Sequence, residues 1–143
     1  MSVPLYNRSL SELQFWKTAA DLRKNVSIWM RNEMKNPDWL EEDARKRIMD
    51  AMASMTSNIS NANAFYPSSK EMLDSREYFQ TAAIAAVQRL MDELTFLADI
   101  MKGNVGMIAY FISEAEKEIG LLKGWRRKGR DILKKELERK SSK

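Results

Sequence analysis

Helix-breaking residues are nearly absent from the first hundred positions. All five glycines lie from Gly103 onward, and the three prolines, Pro4, Pro37 and Pro67, stand far apart. Glycine and proline are the strongest local interrupters of regular structure, so this spacing predicts long helices with few turns. No β-branched alternating run supports a sheet, and no repeat of fixed period stands out.

Four segments result. Ser9 with Glu12 predicts a capping box that opens a first helix running to about Lys35. Its apolar positions Phe15, Ala19, Leu22, Val26 and Trp29 step by four and three, which keeps them on one face; Trp16 and Met30 widen the stripe. Asn36-Pro37-Asp38 breaks the helix and restarts it, because proline disfavours helix in the residue before it and is tolerated in a first turn. The second helix carries Ala44, Ile48, Ala51, Met55, Ile59 and Ala62 on a narrow seam, with Met52 beside them. Its far side, Glu42, Asp43, Lys46, Asp50, Thr56 and Ser57, reads as a solvent face. Phe65 to Ser69 is the second break, and Ser68 with Glu71 predicts another capping box. The third helix keeps Phe79, Ala83, Ala86, Leu90, Leu97 and Met101 on its core stripe, with Leu94 beside Glu93, until Gly103-Asn104 stops it. The fourth begins near Val105 on Ile108, Phe111, Ile112, Ala115, Ile119 and Leu122. A thinner stripe of Ile132, Leu133 and Leu137 follows, fraying near Ser141. Four such amphipathic stripes predict an all-α, up-down-up-down four-helix bundle forming a single domain over 1–143, with a basic extension over 123–143.

The residue inventory excludes most catalytic plans. The chain has no cysteine and no histidine, which removes thiolate metal sites, thiol nucleophiles, the commonest metal ligand and the commonest general base. The carboxylates Glu41, Glu42 and Asp43, and the pair Glu114 and Glu118 four apart on one helix face, cannot complete a bundle-type diiron site without histidine. No phosphate-binding glycine loop occurs. The reading is of a protein that is not an enzyme and carries no cofactor. The start, Met1 to Leu10, lacks the apolar run of a signal peptide, and the weakly polar Thr81 to Val87 is far shorter than the roughly 20 residues a membrane span needs. A cytoplasmic protein without a membrane partner is expected.

Charge is unevenly placed. The stretch from Lys123 to Lys143 holds ten basic and three acidic residues, a net of +7, against 14 basic and 17 acidic residues before it, a net of −3. A basic segment of that density attracts phosphates by releasing counterions, which points to nucleic acid, with an anionic membrane surface or an acidic protein behind it; an ordinary solvated helix end is the competing reading. The candidate contacts are Lys123, Arg126, Arg127, Lys128, Arg130, Lys134 and Lys135. Trp125 places a large flat ring beside them, either as a base platform or as a core or interface anchor. The ten methionines, with Met49, Met52 and Met55 in helix two, read first as core fillers and second as an adaptable groove. Gly120 and Gly124 face the same way, and either close approach of another helix or subunit, or a kink that redirects the tail, would account for them.

Together, Asp43-Ala-Arg-Lys-Arg-Ile-Met49, Asn58-Ile-Ser-Asn-Ala-Asn63, Ala82-Ala-Ile-Ala-Ala-Val-Gln-Arg-Leu-Met-Asp-Glu-Leu94 and Glu118-Ile-Gly-Leu-Leu-Lys-Gly-Trp-Arg-Arg127 resemble the Avd accessory proteins of diversity-generating retroelements. That family is related to four-helix proteins encoded in intervening sequences of 23S rRNA genes, and the likeness covers about Arg8 to Arg130. It implies a homopentameric barrel that binds the retroelement reverse transcriptase and its template RNA or RNA–DNA hybrid, with catalysis left to that partner. The phosphate contacts it implies are Arg126, Arg127, Lys128 and Arg130, with Arg45, Lys46 and Arg47 as a second patch. Trp125 is the expected partner or oligomer contact. The acidic body departs from a uniformly basic barrel. Two alternatives are an intervening-sequence-type bundle of unassigned role and a helical scaffold that does not bind nucleic acid.

Overall fold

The computed structural model describes residues 13–142 and contains four α-helices with no strand among them. They are α1 (Gln14–Glu33), α2 (Trp39–Asn63), α3 (Lys70–Ile100) and α4 (Gly106–Ser141). Each packs chiefly against its two neighbours in a closed ring, α1 on α2, α2 on α3, α3 on α4 and α4 back on α1. Short connections force consecutive helices to run antiparallel, which is the expected up-down-up-down bundle.

Local chemistry fixes where each helix starts. Asp38 caps α2: its side chain accepts from the Glu41 amide at 2.9 Å while Glu41 Oε1 accepts from the Asp38 amide at 3.3 Å, a complete capping box. Pro37 therefore lies just before the cap and outside the first turn. The cap of α3 is Ser69, one residue later than the Ser68 expected, and its hydroxyl accepts from the Met72 amide at 3.2 Å. The Ser9–Glu12 box expected for α1 lies outside the described residues. At the far end of α3, Met101 turns extended and ends the helix without any left-handed residue, so Gly103-Asn104 follows the stop and does not make it. Asn104 then accepts from the Gly106 amide at 3.0 Å as α4 begins.

The core follows the stepping at most positions, while Phe79, Met101, Ile112 and Ile119 of the expected stripes are half-buried against its edge. Phe15, Ala19, Leu22, Val26 and Trp29 of α1, the whole α2 seam, Leu90, Leu94 and Leu97 of α3, and Ile108, Phe111, Ala115 and Leu122 of α4 are all buried. Each large aliphatic side chain so enclosed contributes about 1.5–3 kcal/mol. Alanines at 44, 51, 62, 83 and 86 let α2 and α3 approach closely, and this pair forms the most extensive contact of the bundle. Aromatic contacts set the α1/α4 register, with Trp29 edge-on to Phe111 at 5.9 Å near one end and Phe15 stacked on Trp125 at 3.9 Å near the other.

Several positions depart from the expected pattern. Met49 is 52% exposed, because it falls one residue past Ile48 and off the seam. Thr56, expected on the solvent face, is buried; its hydroxyl bonds back to the Met52 carbonyl and accepts from Arg23 at 2.9 Å, so its polarity is satisfied inside. Leu137 is exposed, and the tail stripe ends in practice at Leu133.

Candidate nucleic-acid interface

The basic residues sit on α4, whose inner face from Leu122 onward is made by Leu122, Trp125, Gly129 and Leu133. Helical spacing sends Lys123, Arg127, Arg130 and Lys134, stepping by four, three and four, along one outer stripe. Lys128 and Lys135, seven apart, form a second row beside it. All six are exposed. Gly129 is where α4 crosses α3 closely: a Cβ there would lie 3.2 Å from Leu73 Cδ1.

Two of the expected contacts are engaged inside the chain. Arg126 is half-buried and donates to Thr81 Oγ1 of α3 at 3.0 Å, and Arg130 pairs with Glu77 of α3 at 2.7 Å. Lys123, Arg127, Lys128, Lys134 and Lys135 have no ion-pair partner among the described residues, so these five of the expected α4 contacts are free to meet an anion.

The second patch is different. Arg45 pairs with Glu42, and Arg47 pairs with Asp43 at 2.8 Å, which leaves only Lys46 of the three unneutralised. It lies in the second turn of α2, at the end of the bundle where α1 finishes and α4 begins, whereas the α4 cations occupy the other end. The fold does not bring the two patches together. Lys46 instead borders a cavity of about 590 Å³ between α1 and α2, lined also by Met30, Met34 and Met49, with Arg31 and Lys35 among its other lining residues.

Trp125 is not a free platform. It is 8% exposed, its ring stacks on Phe15 with 17° between planes, and the Arg76 guanidinium lies 4.8 Å over it. Its ring is occupied by the chain's own helices, the core-anchor reading of the alternatives that the sequence offers. Arg76 in turn donates to the Phe65 carbonyl at 2.8 Å; burial pushes its guanidinium down to about 10, still charged at neutral pH.

Besides Thr56, three buried polar side chains escaped the sequence reading, namely Arg76, Gln80 and Glu118. Their signal was present, since Leu73, Arg76, Gln80 and Ala83 step by three, four and three, and Ala115, Glu118 and Leu122 by three and four. Glu114 and Glu118 do not act together: Glu114 is half-buried beside Lys117 at 3.0 Å, while Glu118 is enclosed. Among the described residues, no three acidic side chains converge in a way that could hold a metal ion, and no helix is long and apolar enough to cross a membrane. No protein-family model, curated protein or solved structure matches this chain.

Proposed function

We propose that this chain is a non-catalytic accessory subunit that grips nucleic acid by its phosphates, through the exposed cations of α4. Following the resemblance, it serves as a homopentamer beside a retroelement reverse transcriptase and holds the template RNA or the RNA–DNA hybrid. The observation that carries the reading is the set Lys123, Arg127, Lys128, Lys134 and Lys135, exposed and without an ion-pair partner among the described residues on one continuous helix. Rows of such cations recognise charge and shape with little base readout, as α4 presents no free ring among them.

Counterion release sets the test. Five phosphate contacts give a slope of log affinity against log salt of about −3.5 on single strands and about −4.5 on duplex. Light-scattering mass with and without structured RNA, at low and high salt, reads both assembly and retention. A pentamer that retains RNA only at low salt supports the proposal. Lys123→Glu with Arg127→Glu should then abolish retention with helicity intact. A monomer or dimer that ignores RNA at low salt refutes it and assigns the chain to the scaffold class, for which the exposed Trp39 and Tyr78 would be the first contacts to test. Genomic neighbourhood separates the two nucleic-acid readings: a reverse transcriptase gene for the retroelement, flanking rRNA sequence for the intervening-sequence type.

A further inference from the structure

We propose that Glu118 is a proton-linked catch in the middle of α4: it enters the core as the neutral acid, so folding takes up one proton and the bundle loosens as pH rises. The inference is independent of nucleic-acid binding. Glu118 lies on the inner face of α4 between Ala115 and Leu122, is 0% exposed, and neither carboxyl oxygen has a hydrogen-bond partner among the described residues. Its level follows from the aromatic register. Glu118 is seven residues from both Phe111 and Trp125, as Leu22 is from their partners Trp29 and Phe15, so Glu118 sits beside the Leu22 layer of α1.

Among the described residues, no charged group on the packed elements compensates it. On α1, Asp21 and Arg23 flank Leu22 but are exposed, and Arg23 donates to Thr56 of α2. Thr56 is the buried polar residue that α2 offers, and it is uncharged. On α3, Arg76 is directed to the Phe65 carbonyl and the Trp125 ring, Glu77 is held by Arg130, and the buried Gln80 is neutral and itself without a partner. Arg89 is exposed and Glu93 half-buried on α3. On α4, Lys117 pairs with Glu114. An ionised carboxylate in this place would surrender its hydration and gain no partner, which the neutral acid largely avoids.

Burial alone pushes the Glu118 carboxyl up to about 9, from an ordinary value of 4.5 when the chain is unfolded. The sign follows directly. Below the lower value both states hold the proton and the contribution is full. Between the two values only the folded state holds it, so the unfolding constant rises about tenfold per pH unit. Above the upper value the loss is complete. The window therefore spans neutral pH.

The test is urea unfolding of the full chain, followed by far-ultraviolet circular dichroism, for the native protein and Glu118→Gln, which keeps the shape and cannot titrate. From about pH 5.5 to about pH 8.5, the ratio of the native unfolding constant to the variant's should grow about a thousandfold. Parallel profiles would overturn the proposal. Should Glu118→Gln fail to fold, infrared spectroscopy of the native protein at neutral pH decides: a protonated-carboxyl band that resists deuterium exchange upholds it, and carboxylate absorption alone overturns it.

Discussion

Truncating Trp125 to alanine separates a core role from an interface role, because the two predict losses in different observables. The ring is nearly enclosed, packed face to face on Phe15 and covered by the Arg76 guanidinium. A buried tryptophan removes about 200 Å² from water, which at about 25 cal/mol per Å² sets an upper figure near 5 kcal/mol. Measured truncations of buried aromatics fall in the same range, about 3–5 kcal/mol, because surrounding side chains only partly collapse into the space. Arg76 would also lose its aromatic cover while its Nε stays buried without a partner. Trp125→Ala should therefore destabilise the fold by about 4 kcal/mol, and with a urea slope of about 2 kcal/mol per molar the midpoint should fall by about 2 M. Trp125→Phe, which keeps a ring over Phe15, should recover more than half of that loss. The assay is urea unfolding at several protein concentrations, with light-scattering mass alongside. A midpoint that hardly moves while the oligomer dissociates would refute the core assignment and return Trp125 to an interface.

Two further outcomes follow from local geometry. A Cβ at Gly120 or Gly124 would meet no atom within 4 Å, so Gly120→Ala and Gly124→Ala should each stabilise the chain by about 1 kcal/mol in thermal unfolding; if either disrupts assembly instead, the glycines serve close approach of another subunit. Asp38→Ala removes the capping box of α2 and should cost about 1 kcal/mol in chemical unfolding, and an unchanged midpoint would show that the cap is redundant.

The bundle was legible because its stripes obey a countable period, and burial follows that period at most positions from Phe15 to Leu122, with Phe79, Met101, Ile112 and Ile119 at the margin of the core. The start of α3 was legible to within a residue, whereas α1 ends at Glu33 instead of about Lys35 and α3 at Ile100 instead of at Gly103; the error at Ser69 has a physical cause: Ser68 and Ser69 are both competent caps, and only the path of the chain out of Pro67 selects between them. The buried polar residues were missed for the opposite reason. Arg76, Gln80 and Glu118 occupy core spacing, but a reading that scores apolar residues passes over a charged one and credits its neighbour, as it did with Ile119. The site was legible as a charge density on α4 and not as a geometry. Nothing local in the sequence announces that Arg130 meets Glu77, 53 positions away, or that Arg126 meets Thr81. Pairing within a turn, as for Arg47 with Asp43, could have been counted and would have discounted the second patch in advance.

The unequal helix lengths give the molecule an electrical orientation. The 36 residues of α4 span about 54 Å, against about 30 Å for the 20 described residues of α1. Phe15, near the start of α1, is level with Trp125, so α4 runs on past it, and beyond Leu133 its described residues are exposed or half-buried. From Lys134 to Ser141 this last stretch measures about 12 Å and runs beside the start of α3, which Arg130 holds through Glu77, yet it is longer than the roughly 8 Å over which physiological salt lets charges sense one another. Lys140 and its neighbours at the tip therefore do not feel most of the acidic body, and the net charge of +4 describes neither region. The formal charges, a net of +7 from Lys123 onward and −3 before it, therefore leave the molecule polarised along α4, with its positive pole at the C-terminal end of that helix.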